Sequence, residues 1–225
     1  MLEIIYQDAH LVAINKPHGM LVHRSAIAHE VTESSVQLLE TQLNQKVWPA
    51  HRLDRKTAGV LLFSLDTATN SLMNQQFMHR EIRKIYHAIV RGYTPNEATI
   101  NYPLVREDGK EQDAITHFKT LSQSEIDIPS GKFETSRYSF LEVIPETGRM
   151  HQIRKHLAHI FHPIIGDRPH GCNKQNKLFK ERWGMTSMML HASELSFMHP
   201  HSREHILIQA EFSEEFMRMK EVLGL

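Results

Sequence analysis

Apolar and polar positions recur with two different periods along this chain, and the change from one to the other marks out its elements. Residues 2–6 and 11–15 are short apolar-rich runs separated by Gln7-Asp8-Ala9-His10 and closed by Lys16-Pro17, which reads as a hairpin of two strands. Val36, Leu39 and Leu43 then lie three and four residues apart on a polar background, the spacing of one helix face over residues 33–45. A short strand is expected at 47–50. The apolar run 60–65, bounded by Gly59 and Asp66, predicts a buried strand, and Leu72, Met73, Gln76 and Phe77 restore the helical period over 67–79.

From Lys84 onward the pattern is mainly that of strands, at 85–90, 98–104, 115–121 and 138–144, the last followed by the turn Pro145-Glu146-Thr147-Gly148. Met150, Ile153, Leu157 and Ile160 mark one face of a helix that stops before Pro163. Strands at 190–197 and 205–210 precede a final helix over 214–222, and the polar segment 106–113 reads as a loop. The sum predicts an α+β fold with a mainly antiparallel central sheet and flanking helices. With no repeat, low-complexity tract or long linker, residues 1–225 are expected to form a single catalytic domain.

Composition narrows the possibilities. A hydrophobic content of 40% suits an ordinary globular core, and no apolar run approaches the roughly 20 residues of a membrane-spanning helix. Met1-Leu2-Glu3-Ile4 has neither the charge nor the apolar run of a secretory leader, so a cytoplasmic protein is expected, and a monomer. The one cysteine, Cys172, excludes an internal disulfide and a zinc site built of thiolates. The 17 histidines include His151, His156, His159 and His162, and separately His199, His201 and His205. None lies in an arrangement such as H-E-x-x-H, so no metal site is expected. Lysine plus arginine equals aspartate plus glutamate, at 26 each, so overall charge gives no argument for a nucleic-acid partner. Residues 148–182, however, hold eight lysines or arginines against Asp167 and Glu181, a local excess that suits either phosphate contact or a solvated basic face.

The sharpest local feature is His51-Arg52-Leu53-Asp54-Arg55-Lys56-Thr57-Ala58-Gly59, at a strand-to-strand junction. Flanking cations favour the ionised form of Asp54 and would keep it available as a nucleophile or base. From spacing alone, an aspartate paired with Arg52 or Arg55 in a turn is the commoner outcome.

That segment resembles the signature of the RluA-type pseudouridine synthases, in which the aspartate is the catalytic residue. Arg83-Lys-Ile-Tyr-His-Ala-Ile-Val-Arg-Gly92 resembles the family's second motif, whose tyrosine, here Tyr86, lies under the target base. Gly148-Arg-Met-His-Gln-Ile-Arg-Lys-His-Leu-Ala158, with His162-Pro-Ile-Ile-Gly-Asp167, resembles the third. The resemblance implies that Arg154 pairs with the catalytic aspartate and that Ile153 lines the base pocket. Leu190-His-Ala-Ser-Glu-Leu-Ser-Phe-Met-His-Pro200 resembles a further motif strand, so the likeness runs from about Tyr6 to Ala210 in the family's order. Outside such motifs a strand tyrosine is usually a core residue and a helix arginine usually solvated.

The resemblance implies an isomerase that detaches uracil from its ribose, turns it and rejoins it through carbon, without cofactor or metal. Arg52, Arg55, Arg149 and Lys155 are the expected phosphate contacts. Lys56 and Ala58 depart from the family's usual residues at positions where no chemistry is expected. The chain opens directly on the catalytic segment, so it is expected to grip RNA without a separate accessory module. Leu2-Glu-Ile-Ile-Tyr-Gln-Asp8, Leu21-Val-His-Arg-Ser25 and Gly148-Arg-Met-His151 most resemble the branch that acts on tRNA, at uridine 65 of the T stem. A ribosomal RNA substrate and a non-catalytic RNA-binding protein are the alternatives.

Overall fold

The computed structural model describes residues 1–23, 33–129 and 133–225. Arg24 and Ser25 of the segment singled out above lie outside the described residues. In chain order the elements are β1 (Ile4–Gln7), β2 (Leu11–Lys16), α1 (Ser35–Leu43), β3 (Trp48–Pro49), β4 (Ala58–Ser64), α2 (Thr67–His79), β5 (Arg83–Arg91), β6 (Glu97–Asn101) and β7 (Leu104–Val105). There follow β8 (Glu111–Gln112), β9 (Ile115–Ile126), β10 (Ser136–Pro145), α3 (Gln152–His159), α4 (Asn173–Trp183), β11 (Leu190–Met198), β12 (His205–Gln209) and α5 (Glu214–Val222). They fall into two compact units, Met1–Lys84 with Ala192–Phe212, and Ile85–His191 with Ser213–Leu225.

In the first unit β1 and β2 form the expected hairpin, β2 pairs antiparallel with β4, and β3 also pairs with β4. β11 pairs antiparallel with β12. All seven residues of β4 are buried, which is why its sequence is a continuous apolar run rather than an alternating one. Leu11, Ala13, Val60, Leu62, Met73, Leu195, Phe197 and Ile208 make one core cluster beneath this sheet. Local signals set the helix ends. Ser34 and Gln37 form a reciprocal capping box at the start of α1, and Asp66 accepts the Thr69 N–H at the start of α2. α2 ends at Arg80, whose left-handed backbone (φ 62°) is unusual for a residue other than glycine.

The second unit holds an antiparallel sheet in the order β5-β10-β9-β6, with β7 and β8 as a separate two-stranded ribbon. The strand expected over 98–104 divides into β6 and β7 because Tyr102-Pro103 interrupts it, and Pro103 has no N–H to give a ladder. The loop expected at 106–113 is partly this ribbon, since Glu111 and Gln112 pair back to Val105 and Leu104. Helix α4 was not legible in the sequence. Its composition is mainly polar, with Gln175 and Phe179 its buried residues, and Leu178, Phe179 and Trp183 alone give too few positions for an apolar period to register. The ring of Phe179 meets Tyr138 edge-on at 5.5 Å, and Gln175 accepts the Tyr138 hydroxyl at 2.7 Å.

Gly59 is the second residue of β4, just after the Asp54 loop, with φ +109°. A Cβ there would stand 2.1 Å from the Ala192 carbonyl oxygen. Gly59→Ala is therefore expected to destabilise the protein by about 3 kcal/mol or more, read as a lowered melting temperature or loss of soluble protein. A melting curve indistinguishable from wild type would contradict the close approach.

Candidate active site

The loop carrying Asp54 joins β3 to β4 in the first unit and is held at several points. The His51 ring lies against Phe77 at 5.1 Å, and its Nε2 accepts the Leu62 N–H of β4 at 3.1 Å. Burial pushes the imidazole down to about 3, so His51 is a neutral acceptor that ties the loop to the strand. Leu53 buries its side chain, and the Thr57 N–H donates to the Asp54 carbonyl at 3.0 Å, closing the turn. Asp54 itself is half-buried.

Lys16, the last residue of β2, is fully buried beside this turn. Its ammonium donates to the carbonyls of Pro17 at 3.0 Å, Met20 at 3.0 Å and Arg55 at 3.2 Å. Arg55 reinforces the link: its carbonyl also receives the Gly19 N–H at 2.9 Å, and its Nε donates to the Gly19 carbonyl at 2.9 Å. One buried cation thus joins the 17–20 turn to the catalytic-type loop. Burial lowers the Lys16 ammonium to about 7, against the charge of Asp54, which acts to hold it protonated. His18 is pushed to about 4 by burial and by the charges of Lys56, Lys16 and Arg55. Lys16 and His18 were not singled out from sequence; the available signal was a lysine ending an apolar strand immediately before proline. Arg52 is exposed. The loop therefore presents a carboxylate within a field of cations, an arrangement able to attract a polyanion.

In the second unit α3 carries the other expected residues. Gln152, its first residue, donates to the Ile115 carbonyl at 2.9 Å and to Thr116 Oγ1 at 3.0 Å, and accepts from Thr147 Oγ1 at 2.6 Å and the Arg149 N–H at 3.0 Å. His156, one turn later, bonds Thr116 Oγ1 and the Tyr102 carbonyl, both at 2.9 Å. These contacts fix the helix on β9 and turn Ile153 and Arg154 inward, where both are buried. Arg154 grips Asp167 through two charge-assisted hydrogen bonds, Nε to Oδ2 at 2.7 Å and Nη2 to Oδ1 at 2.8 Å. Asp167 was quoted in the sequence only as the end of a motif; within this unit it is the carboxylate that Arg154 pairs with.

The Asp167 segment is equally constrained. Asn176 accepts the Gly166 N–H and donates to the Asp167 carbonyl, and His170, whose N–H meets Asp167 Oδ1 at 3.3 Å, bonds His151 ring to ring at 3.0 Å. Tyr86 is half-buried on β5, opposite Val143 of β10. Arg149 donates through Nε to the Asp113 carbonyl at 3.1 Å, and Lys155 is half-buried on α3. Of the histidines weighed as ligands, His156 serves hydrogen bonds, His199 lies 3.1 Å from Asp8, and His201 stacks on His10 at 3.9 Å. Among the described residues no group of three or more histidine, cysteine or acidic side chains is placed to hold a metal ion.

Two measurements follow from these buried charges. Asp167→Asn removes the carboxylate that accepts two charge-assisted bonds from Arg154, and chemical denaturation is expected to show a loss of about 1.5–3 kcal/mol; a loss under about 0.5 kcal/mol would contradict the pairing. For Lys16, the folded value near 7 lies below the ordinary 10.5, so between those limits the unfolded chain holds a proton that the folded protein lacks. Stability contributed at this site accordingly rises with pH from about 7 to 10.5. The stability of wild type minus that of Lys16→Met, from urea unfolding, is expected to increase from pH 7 to pH 9.5, and a constant difference would refute the depressed ammonium.

Comparison with known proteins agrees with this geometry. RNA pseudouridylate synthase, as a family, matches residues 10–159. The chain is 44% identical to the tRNA pseudouridine synthase C of Vibrio cholerae serotype O1, covering 100% of this chain and 96% of that one. It is 44% identical to the protein of the same name from Salmonella typhi, covering 100% and 90%. Among solved structures, human RNA pseudouridylate synthase domain containing 4 superimposes with a TM-score of 0.76 at 23% identity, covering 99% of this chain and 93% of that one. Human RNA pseudouridylate synthase domain containing 1 gives 0.74 at 22%, covering 94% and 84%. These two establish the fold. By the family match and the full-length identity together, the chain belongs to the RNA pseudouridylate synthase family.

Proposed function

We propose that this chain is a tRNA pseudouridine synthase that isomerises uridine 65 in the T stem, working in the cytosol as a monomer. The observation that carries the reading is identity of 44% along the whole chain to proteins named tRNA pseudouridine synthase C, with Asp54 set in the loop that Lys16 and His51 hold.

The target uridine leaves the helical stack at a cost of a few kcal/mol, which contacts in a closed site must offset. Tyr86 is assigned the stacking face and Ile153 the apolar wall of the base pocket. Asp54 acts as a nucleophile on the sugar or base, or as a base removing a sugar proton, and Arg154 orients it. The glycosidic C–N bond breaks, the uracil turns, a C–C bond to its C5 replaces the lost one, and as the C5 proton departs N1 takes up a proton. Product and substrate are isomers, so no oxidant, reductant or group donor is consumed. Arg52, Arg55, Arg149 and Lys155 are assigned to phosphates, and affinity is expected to fall steeply with salt.

The test is pseudouridine mapping of RNA from cells lacking the protein, then restored with wild type or with Asp54→Ala. Loss of one T-stem pseudouridine, regained with wild type alone, is the expected result. A lost site in ribosomal RNA would overturn the tRNA assignment, and no lost site would favour a non-catalytic RNA-binding protein. In vitro, Asp54→Ala is expected to lower the rate on bound tRNA by about 10⁴-fold or more. Arg154→Ala is expected to reduce that rate more than it reduces affinity; the opposite order would refute its orienting role.

A further inference from the structure

Helix α4 of the second unit breaks several of the rules that stabilise a helix. Its N-cap, Cys172, makes no side-chain hydrogen bond to the first turn, and that turn holds no acid but does hold Lys174. A cation there opposes the positive end of the helix dipole. α5, in the same unit, shows the usual solution: Ser213 accepts the Phe216 N–H, and Glu214 and Glu215 follow it. Further along α4 the charges again work against the helix. Lys174, Lys177 and Lys180 succeed one another at intervals of three, where like charges repel, and the one acid, Glu181, stands four residues after Lys177, the less favourable order for a pair.

These cations lie on the outside. Gln175 and Phe179, one turn apart, are the buried face of the helix, which leaves Lys174, Lys177 and Lys180 turned away from it, and each is exposed. The three lysines span about 9 Å along the axis. Arg168, directly after Asp167, is exposed as well. Elsewhere in this unit surface cations find acids: Arg106 lies 3.3 Å from Asp108, Arg137 3.1 Å from Glu125 and Arg218 2.7 Å from Glu215. On α4 the Lys177 contact with Glu181, at 3.7 Å between side chains 74% and 65% exposed, contributes little, and Arg168, Lys174 and Lys180 have no carboxylate partner among the described residues. The chain has as many acids as bases, so cations left unpaired on one face, at the expense of the helix that bears them, mark a surface kept for an anion. The helix is also fixed to the candidate site. Asn176 accepts the Gly166 N–H at 2.9 Å and donates to the Asp167 carbonyl at 2.7 Å, which ties α4 to the segment whose carboxylate grips Arg154.

We propose that Lys174, Lys177 and Lys180, with Arg168, form a docking surface for the sugar–phosphate backbone of the RNA substrate, on the strand that flanks the reacting nucleotide. This rests on the reading of the chain as an RNA-modifying synthase and adds an interface to it. A row of flexible ammonium groups suits phosphates spaced along a backbone and reads no base, so it positions the RNA without selecting its sequence.

The experiment measures affinity for a tRNA transcript across a salt series, for wild type, the combined Lys174→Gln, Lys177→Gln and Lys180→Gln variant, Lys174→Glu, and Lys46→Gln as an exposed lysine of the first unit. The triple variant is expected to weaken binding about tenfold or more and to lower the magnitude of the log–log salt slope by about 2, close to one phosphate contact per lysine. The loss is the same on a transcript with exchanged stem base pairs, and Lys46→Gln leaves the slope unchanged. An unchanged slope in the triple variant, or a loss per charge as large in Lys46→Gln, overturns the proposal. Lys174→Glu separates binding from stability: an acid in the first turn favours the helix, so the melting temperature is expected to hold or rise while RNA binding weakens, and equal or tighter binding overturns the proposal. Vesicles of anionic phosphatidylglycerol test another polyanionic surface; lysine-dependent binding to them with an unchanged RNA slope assigns the face to a membrane and overturns the RNA assignment. Pseudouridine formation by wild type is assayed alongside. A reduced slope with an inactive wild type sinks the synthase reading and leaves the docking surface standing, whereas an active wild type with an unchanged slope does the reverse.

Discussion

An ammonium group can be taken out of water only where oxygen atoms replace its hydration, and Lys16 meets that condition by drawing three backbone carbonyls from two segments onto one nitrogen. The loop bearing Asp54 depends on this contact. Its sequence is rich in arginine and lysine, which repel one another and favour no single conformation when left alone. The Arg55 carbonyl, bound to Lys16 and to the Gly19 N–H, gives that loop an anchor that is independent of its charged side chains. His51 supplies a second anchor from the other end, through the strand that follows.

The second unit applies the same rule with the roles exchanged. There the buried cation is a side chain that chemistry is expected to use, Arg154, and its partner Asp167 is held by its own hydrogen bonds to Asn176 and the His170 N–H. A guanidinium gripped bidentately has a fixed plane, so its remaining N–H groups point in set directions. Gln152 and His156 do for the helix what Asn176 does for the loop: they satisfy backbone and hydroxyl groups that would otherwise be buried without partners. Much of what reads in sequence as a motif is thus the support of one or two side chains.

How far the molecule was legible from sequence depended on whether the decisive interaction was local. Helices α2 and α5 were placed at their observed bounds, because Asp66 and Ser213 cap them from the adjoining residue and apolar residues recur along each. The strand β4 was legible as an apolar run between Gly59 and Asp66, although it starts two residues earlier than expected. α4 was missed because a single aromatic, Phe179, and a glutamine bury its face. The break at Pro103 was available in principle, and the ribbon beyond it was not, since Leu104 and Val105 find partners seven or so residues on in a polar stretch. Asp54 stood out by its flanking arginines, but its chemistry came from resemblance. Lys16 and Asp167 were invisible as site residues, for their partners are set by the approach of distant segments rather than by any spacing along the chain.

The division of the chain between its two compact units has a consequence for how the molecule is made. The first unit needs Ala192–Phe212 to complete the sheet begun by residues 1–84, and the second needs Ser213–Leu225 after it. A polypeptide emerging from the ribosome therefore carries the apolar faces of β2 and β4 for more than a hundred residues of synthesis before their remaining neighbours exist. Each unit takes up a segment made near the end of synthesis, so the nascent chain passes through a long stage in which those apolar faces lack their final cover and are open to aggregation.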